Sequence, residues 1–493
     1  MIILNSLKDY YLNIDNKEYP IDISLDNVDS AVNYIELNKN IKYAICTDGN
    51  DVDGMAGGSI WYLTLQSLNI DCKIFAPKRL DGYGLNIKIV SDLAKEGYQC
   101  IITNDNGIRA FEALEYAKKI GIYVILTDHH IPSDILPKAD IIINPHINNN
   151  HLMTHDICGS YVSFIICKEL KIKPSIYNNI MELAALATLS DSMPLIYYNK
   201  SIVKKLYNHV ESKFLYNYGL DLMFKKYNLY DSFNDDTFSF KVIPLFNSCS
   251  RMLNQLDESI LILTSNDDLD INNKLDLLFN TNEIRKKETE YYYKKFMSFD
   301  KKDDILIFED NTIKSGICGL IANKISSETN KTCFVISDTH GSGRGSNALS
   351  ILDQKKELFN TYGGHEEACG FVLKDHSNLS EISQNLIIKE KEEKKLIVIQ
   401  MHYYETEKLY NEIKFFGPYG HKNEKPLFYD KIDIIDIIYL KNLHTKLLTK
   451  NMTFLYFYNL IPKNTKSLII TFHLSKNVWN KQIEFQGIIK LIL

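Results

Sequence analysis

The sequence predicts a multidomain α/β protein: a parallel sheet, a long helix leading to a second α/β lobe, and a small β-barrel at the C-terminal side. Three observations carry this expectation. Short apolar runs alternate with amphipathic stretches from Ile41 to Leu195, a charged stretch of helical spacing follows at Asn282–Asp304, and strand-like runs fill the chain beyond Lys395. At 493 residues the chain also exceeds what a single hydrophobic core usually serves.

The elements follow in order. Residues 1–40 form an N-terminal extension with no readable pattern. Over 41–200 the runs IKYAIC, CKIFAP, CIIT, YVILT and IIIN are separated by helix-like GSIWYLTLQSLN and AFEALEYAKKIG. Runs this apolar read as parallel strands covered on both faces by crossover helices. In such sheets chemistry collects in loops leaving the carboxyl ends of the strands. Residues 201–300 are helical in pattern and end in the charged stretch, which suits an exposed connecting helix. Strand-like ILIF and CFVIS, with glycine-rich GSGRGS and YGGH, mark a second α/β domain over 301–394. From 395 to 493, short strands at close spacing predict the barrel.

Composition excludes several classes. With 45% hydrophobic and 24% charged residues the chain reads as globular rather than disordered. It shows neither an apolar run long enough to span a membrane nor a signal-peptide pattern, so the expectation is a cytoplasmic protein with no membrane partner. Nine scattered cysteines without a CxxC pair indicate reduced buried thiols and no zinc frame. A net charge of −6 gives no overall signature of nucleic-acid binding, so any polyanion must be held locally. Of 56 basic residues beside His, only Arg79, Arg109, Arg251, Arg285 and Arg344 are arginines. Where arginine survives so strong a lysine bias, the bidentate fork that grips carboxylate or phosphate is a reason to keep it.

The chemistry gathers at successive strand ends. Asp48, Asp51 and Asp53 crowd one loop, Asp105 follows CIIT, Asp128-His129-His130 follows YVILT, and Asp191 ends an apolar stretch. A single loop aspartate is most simply a cap or turn residue. Four acidic clusters on successive loops of one sheet instead ask for cations, and hard oxygens with one imidazole suit two Mn²⁺ or Mg²⁺ ions. Such a pair can activate water and stabilise the leaving oxygen in a displacement at phosphorus.

In order and spacing, Asp51-Val52-Asp53-Gly54, Asp105-Asn106-Gly107, Asp128-His129-His130 and Asp191 resemble the four signature motifs of the DHH phosphoesterase superfamily. Pro77-Lys78-Arg79, Gly82-Tyr83-Gly84, Asn144-Pro145 and Cys158-Gly159-Ser160 stand where RecJ-type members of that superfamily carry similar residues. The resemblance implies metal ligands Asp48, Asp51, Asp53, Asp105, His129 and Asp191, and a catalytic group of Asp105, Asp128, His129 and His130. One departure concerns Asp48, which lies one residue further from Asp51 than the usual D-Y-D-x-D-G allows.

The glycine-rich lobe is similar to a DHHA1 domain, with Ser342, Arg344, Gly363, Gly364 and His365 where that family holds phosphate and sugar. Arg79, Arg251, Ser342 and Arg344 match the grip on a 5′-terminal phosphate. Arg285 matches a family position on the connecting helix, with a structural ion pair as the alternative; Arg109 is left open. The C-terminal segment resembles an oligonucleotide-binding (OB) barrel in which Tyr419, Phe428 and Trp479 either stack bases or fill the core.

The resemblance thus implies a 5′-to-3′ exonuclease specific for single-stranded DNA, releasing 5′-mononucleotides in DNA repair or recombination. It also admits a helicase or single-strand-binding protein as partner. Two rivals stand beside it: a phosphodiesterase acting on short oligonucleotides or cyclic dinucleotides, and an inactive scaffold that binds single strands.

Overall fold

The computed structural model describes all of Met1–Leu493 except residues 12–18, 22, 78–83, 148–153, 255, 302, 376–380, 385, 387–395, 442, 458 and 480–481. The chain divides into two compact units. One comprises Met1–Ile21, Ser192–Tyr207 and Glu393–Leu493, the other Asp22–Asp191 and Asn208–Glu392.

Strand β1 (Ile2–Leu4) and helix α1 (Leu7–Tyr11) open the chain, and α2 (Val28–Leu37) leads into the first sheet. Its strands are β2 (Tyr43–Thr47), β3 (Cys72–Phe75), β4 (Cys100–Asn104), β5 (Tyr123–Thr127) and β6 (Ile141–Ile143). They pair in parallel in the order β3-β2-β4-β5-β6. Every residue of β2 and β4 is buried, which is why these runs lack polar alternation. Helices α3 (Val52–Ser67), α4 (Ile87–Lys95) and α5 (Phe111–Lys119) are the crossovers, while α6 (Gly159–Cys167) and α7 (Pro174–Ser190) pack on α3. The chain reversal after β2 therefore carries Asp48 and Asp51, with Asp53 in the first turn of α3, at the carboxyl edge of the sheet, as expected.

Helices α8 (Tyr197–Glu211), α9 (Tyr218–Lys226), α10 (Ile243–Leu253) and α11 (Asp257–Thr264) precede the long helix α12 (Asp268–Met297). This helix starts a full fourteen residues before the charged stretch at Asn282, within its 30 residues. Two features explain the early start: the Asp267 carboxylate accepts from the Asp270 amide at 2.8 Å, capping the first turn, and Ile271, Leu275 and Leu278 continue an inward stripe.

The second lobe contains β7 (Ile305–Glu309), α13 (Ser315–Thr329), β8 (Thr332–Ser337), β9 (His340–Arg344), α14 (Ala348–Asp353), β10 (Phe359–His365) and β11 (Ala368–Leu373). The sheet order is β10-β11-β9-β8-β7; β7 and β8 pair in parallel across α13, and the other pairs are antiparallel.

The other unit is built on an eight-stranded mixed sheet. Its later members are β12 (Ile397–Gln400), β13 (Phe428–Asp433), β14 (Asp436–Leu440), β15 (His444–Leu448), β16 (Thr453–Tyr456), β17 (Ser467–Trp479) and β18 (Gln482–Ile492), with α15 (Thr406–Phe416) between the first two. The order is β1-β12-β13-β17-β18-β16-β15-β14. Strand β1 pairs in parallel with β12, and Leu7 and Tyr11 of α1 enter the core with Phe428, Phe454 and Phe472. The N-terminal extension, opaque in sequence, thus supplies an edge strand and core groups. Among the described residues, no helix is long and apolar enough to cross a membrane.

Candidate metal and phosphate site

Each acidic group is set by local hydrogen bonding. Asp51 caps α3: its Oδ1 accepts from the amides of Asp53 at 3.0 Å and Gly54 at 3.4 Å. The shifted first acid, Asp48, turns inward and is nearly fully buried, and its carboxylate accepts from the Asn50 amide (3.2 Å) and from Asn50 Nδ2 (2.9 Å). Asp53 sits at the amino end of α6, accepting from the amides of Gly159 (2.8 Å) and Ser160 (2.7 Å), while Ser160 Oγ donates to the Asp53 carbonyl at 2.6 Å.

Asp105 adopts a left-handed conformation, φ 58°, directly before Asn106-Gly107 in the loop after β4. A Cβ added to Gly159 would lie 2.8 Å from Asp105 Cβ, so glycine is what lets α6 approach the aspartate so closely. Asp128 is occupied by its neighbours: Oδ2 accepts from the Ile108 amide at 3.0 Å, and Oδ1 from the amides of His129 (2.8 Å) and His130 (3.1 Å). His130 Nδ1 stands 2.8 Å from the same Oδ1, and Asn144 Nδ2 donates to the His130 carbonyl at 2.9 Å.

These constraints bring the sequence-named acids together. Ligand atoms lie within 4.8 Å of one another in each of three sets: Asp48, Asp51 and Asp105; Asp53, His129 and Asp191; and Asp105, His129 and His130. His129 Nε2 lies 3.1 Å from Asp105 Oδ1, 3.7 Å from Asp191 Oδ2 and 3.8 Å from Asp53 Oδ2. Asp105 joins the first set to the third and His129 the second to the third, so the three sets adjoin. Asn50, Gly159 and Ser160 act here as supports. The resemblance placed the last two without giving them a task, and an amide donor two residues from a buried acid was the available signal for Asn50.

The electrostatics show what the cluster lacks. Burial first, and the Asp51 charge second, push Asp48 up to about 7. Burial, Asp53 and Asp51 push Asp191 up to about 8. The same causes raise Asp51 and hold Asp105 well above the carboxylate range. Burial lowers His129, keeping its imidazole neutral and able to ligate. For Asp128, burial is outweighed by bonds from His130 and from backbone amides, so it stays low; His130 is correspondingly raised by Asp128 against its own burial. Arg251 and His130 reach the cluster but do not offset the repulsion. Asp191 Oδ2 is buried without a hydrogen-bond partner among the described residues. Hard oxygens with excess negative charge and one neutral imidazole fit divalent cations of the Mn²⁺ or Mg²⁺ type.

A second group faces helix α13. Arg251 Nη1 donates to the Gly316 carbonyl at 3.1 Å, and Ser250 Oγ on the same helix donates to the Gly49 carbonyl at 3.3 Å, linking the first acidic loop to this region. Arg344 Nη1 donates to the carbonyls of Gly343 (2.7 Å) and Cys369 (3.3 Å). A Cβ at Gly319 would stand 2.8 Å from Arg344 Nη2 and 3.5 Å from Ser342 Oγ. Arg251, Ser342 and Arg344 therefore gather over the first turns of α13. Gly363, Gly364 and His365 are exposed and lie in register with Ser342, Gly343 and Arg344 across the intervening β11. Arg79 lies outside the described residues, as does the Trp479 side chain. Phe428 is fully buried in the core, and Tyr419 is tied by its hydroxyl to Tyr11 at 2.8 Å and to the Ile413 carbonyl, so packing accounts for both.

Residues 42–188 match the model of the DHH family, N-terminal domain, and residues 399–490 that of the RecJ OB domain. The chain thus carries a segment matching a DHH-family N-terminal domain and, after it, one matching a RecJ OB domain. The chain is 24% identical over 372 residues to the single-stranded-DNA-specific exonuclease RecJ of Bacillus subtilis (strain 168), covering 69% of this chain and 45% of that protein. It is 25% identical over 332 residues to the protein of the same name from Thermus thermophilus, covering 66% and 48%. It thus spans about half the length of these relatives. In three dimensions it matches the crystal structure of RecJ in complex with Mn²⁺ from Thermus thermophilus with a TM-score of 0.84 at 20% identity, over 96% of this chain and 72% of that one.

Proposed function

We propose that this chain is a 5′-to-3′ exonuclease specific for single-stranded DNA, hydrolysing phosphodiester bonds to release 5′-mononucleotides. The observation that carries the reading is the buried cluster centred on Asp105, in which two ligand sets adjoin through a third that shares Asp105 with one and His129 with the other, and the carboxylates lack balancing charge. On this reading Asp48, Asp51 and Asp105 hold one ion, and Asp53, His129 and Asp191 with Asp105 hold the other. Mn²⁺ or Mg²⁺ bound there would supply positive charge to the scissile phosphate and acidify a bound water. The RecJ structures solved with Mn²⁺ and Mg²⁺ support that choice of metals.

The chain's own groups do the rest. Amides of α6 fix the Asp53 carboxylate, and Asp128 raises the His130 imidazole above its ordinary value at the edge of the cluster, favouring the ring as a donor to a phosphate oxygen. Arg251, Ser342 and Arg344, with Gly363, Gly364, His365 and Arg79, receive the 5′-terminal phosphate. Anchoring that end sets the first diester linkage over the ligands and gives the polarity. The match to a RecJ OB domain over 399–490 supports a polymer substrate over a dinucleotide. A helicase or single-strand-binding protein would act by presenting the strand.

The test is digestion of end-labelled single strands, with and without 5′ phosphate, in Mn²⁺ and in EDTA. A 5′ label should leave as mononucleotide in Mn²⁺ alone, and Asp105→Ala should abolish turnover while leaving strand binding measurable. Full activity in EDTA or in that variant, or digestion starting at the 3′ end, overturns the reading.

A further inference from the structure

Helix α12 carries an inward stripe whose middle is the wrong chemistry for a core. Leu275 and Leu278 at one end, and Tyr292 and Phe296 at the other, are buried. Between them, at the same alternation of three and four residues, fall Asn282, Arg285 and Thr289. The stripe faces α10: Ser248 Oγ donates to the Leu278 carbonyl at 3.3 Å, and Met252 shares a core cluster with Tyr292. Arg285 lies midway between Leu278 and Tyr292, one heptad from each, on the stripe that faces the helix carrying Arg251.

Its bonding is incomplete. Arg285 Nε donates to Asn282 Oδ1 at 2.9 Å, which fixes the guanidinium plane and, among the described residues, leaves the two terminal nitrogens of the fork unspent. Among the described residues no carboxylate pairs with it: nearby Glu283 is engaged by Lys286 at 2.7 Å, and Glu288 by Lys314 at 3.7 Å. Burial disfavours its charge, with only partial relief from Glu283. Thr289 Oγ1 and Asn247 Oδ1, one turn further on α12 and one turn before Arg251 on α10, are likewise buried without hydrogen bonds among the described residues. A half-buried cation held in plane, with its fork open and no internal counter-ion, is the arrangement of an anion subsite rather than of a structural ion pair.

We propose that Arg285 is a phosphate-binding residue that grips an internal phosphodiester group of the bound strand, separate from the terminal-phosphate group of Arg251, Ser342 and Arg344. The proposal rests on the single-stranded-DNA reading above. It is tested by measuring Kd for a 5′-hydroxyl oligonucleotide across a salt series, in EDTA and in the full-length Asp105→Ala background. Arg285→Gln should raise Kd about tenfold and flatten the slope of log Kd against log salt by about 0.7, one phosphate contact on a single strand. Its thermal unfolding midpoint should hold or rise, since a half-buried cation without a paired carboxylate is removed. Arg285→Lys, which keeps the charge without the fork, should keep the slope and still bind more weakly.

An unchanged slope, or a midpoint that falls with affinity intact, overturns the proposal in favour of a packing role. Inorganic phosphate binding that depends on Arg285 while strand binding does not would assign the subsite to a free anion and overturn it too. If the parent protein binds no single strand at all, the functional reading fails first; parent binding with an indifferent Arg285→Gln fails this inference alone.

Discussion

Asp48 and Asp191 hold carboxyl groups pushed up to about 7 and about 8 by burial first and neighbouring aspartates second, against about 4 in an unfolded chain. With the folded values raised, their stabilising contribution is fully present below about pH 4 and is lost as pH rises through 7 and 8. Metal-free protein should therefore lose thermal stability between about pH 5 and 8, and Asp191→Asn, which cannot ionise, should lose less. Added Mn²⁺ should restore the parent's unfolding midpoint most strongly at the alkaline end, because ligation requires deprotonated carboxylates. Thermal unfolding of both proteins in EDTA and in Mn²⁺ across that range checks this, and parallel pH curves would show that the cluster is already compensated. Arg344 supports a second expectation. Lysine keeps its charge but not the fork, so Arg344→Lys should cut the preference for 5′-phosphorylated over 5′-hydroxyl ends roughly ten- to a hundredfold, the value of one charge-assisted bond. Initial rates on the two end types measure it, and an unchanged ratio would remove Arg344 from the 5′ grip.

Helix α6 shows how an element, rather than a residue, holds the candidate site. Its first two amides grip Asp53, and its approach depends on Gly159, where an added Cβ would lie 2.8 Å from Asp105 Cβ. Gly159→Ala must push the helix start away from both aspartates. It should cost about 1–3 kcal/mol of stability, as overpacking does, and weaken Mn²⁺ binding followed by electron paramagnetic resonance. Gly370→Ala is the control, since its Cβ would meet a single carbonyl at 3.9 Å. Loss of stability without loss of metal affinity would reduce α6 to packing. Sequence alone could place Gly159 and Ser160 beside the acidic motifs only by resemblance, because a close backbone approach between segments 54 residues apart in the chain, at Asp105 and Gly159, leaves no local pattern. The start of α12 was hidden for a related reason: its first half lacks the dense charge of Asn282–Asp304, and the Asp267 cap is one aspartate among several.

At the scale of the molecule, the parallel sheet and its acidic loops were legible because continuous apolar runs and clustered charges are one-dimensional signals. The eight-stranded sheet was legible only in part. Its last strands alternate or run apolar, but β1 lies nearly four hundred residues from its partner β12, and three residues of IIL carry no hint of that pairing. Helix α15 was also missed, although Leu409, Ile413 and Phe416 show inward spacing, because adjoining strand patterns masked it. The distant pairing decides how this sheet can be tested. Removing only residues 395–493 would strip β1 of Ile397–Ile399 and expose Leu7 and Tyr11, whose ring stacks on Phe416 at 3.9 Å. A variant lacking both 1–21 and 393–493 avoids that exposed edge. If the OB segment serves capture of long strands, this variant should bind a long oligonucleotide at least about tenfold more weakly, since each lost base stack is worth about 1–3 kcal/mol. Hydrolysis of a dinucleotide, which reaches only the acidic cluster and the 5′ grip, should change much less. Mn²⁺ binding by the shortened chain shows whether its site remains formed. Equal losses on both substrates with metal binding intact would mean that the eight-stranded sheet contributes to hydrolysis itself rather than to holding the strand.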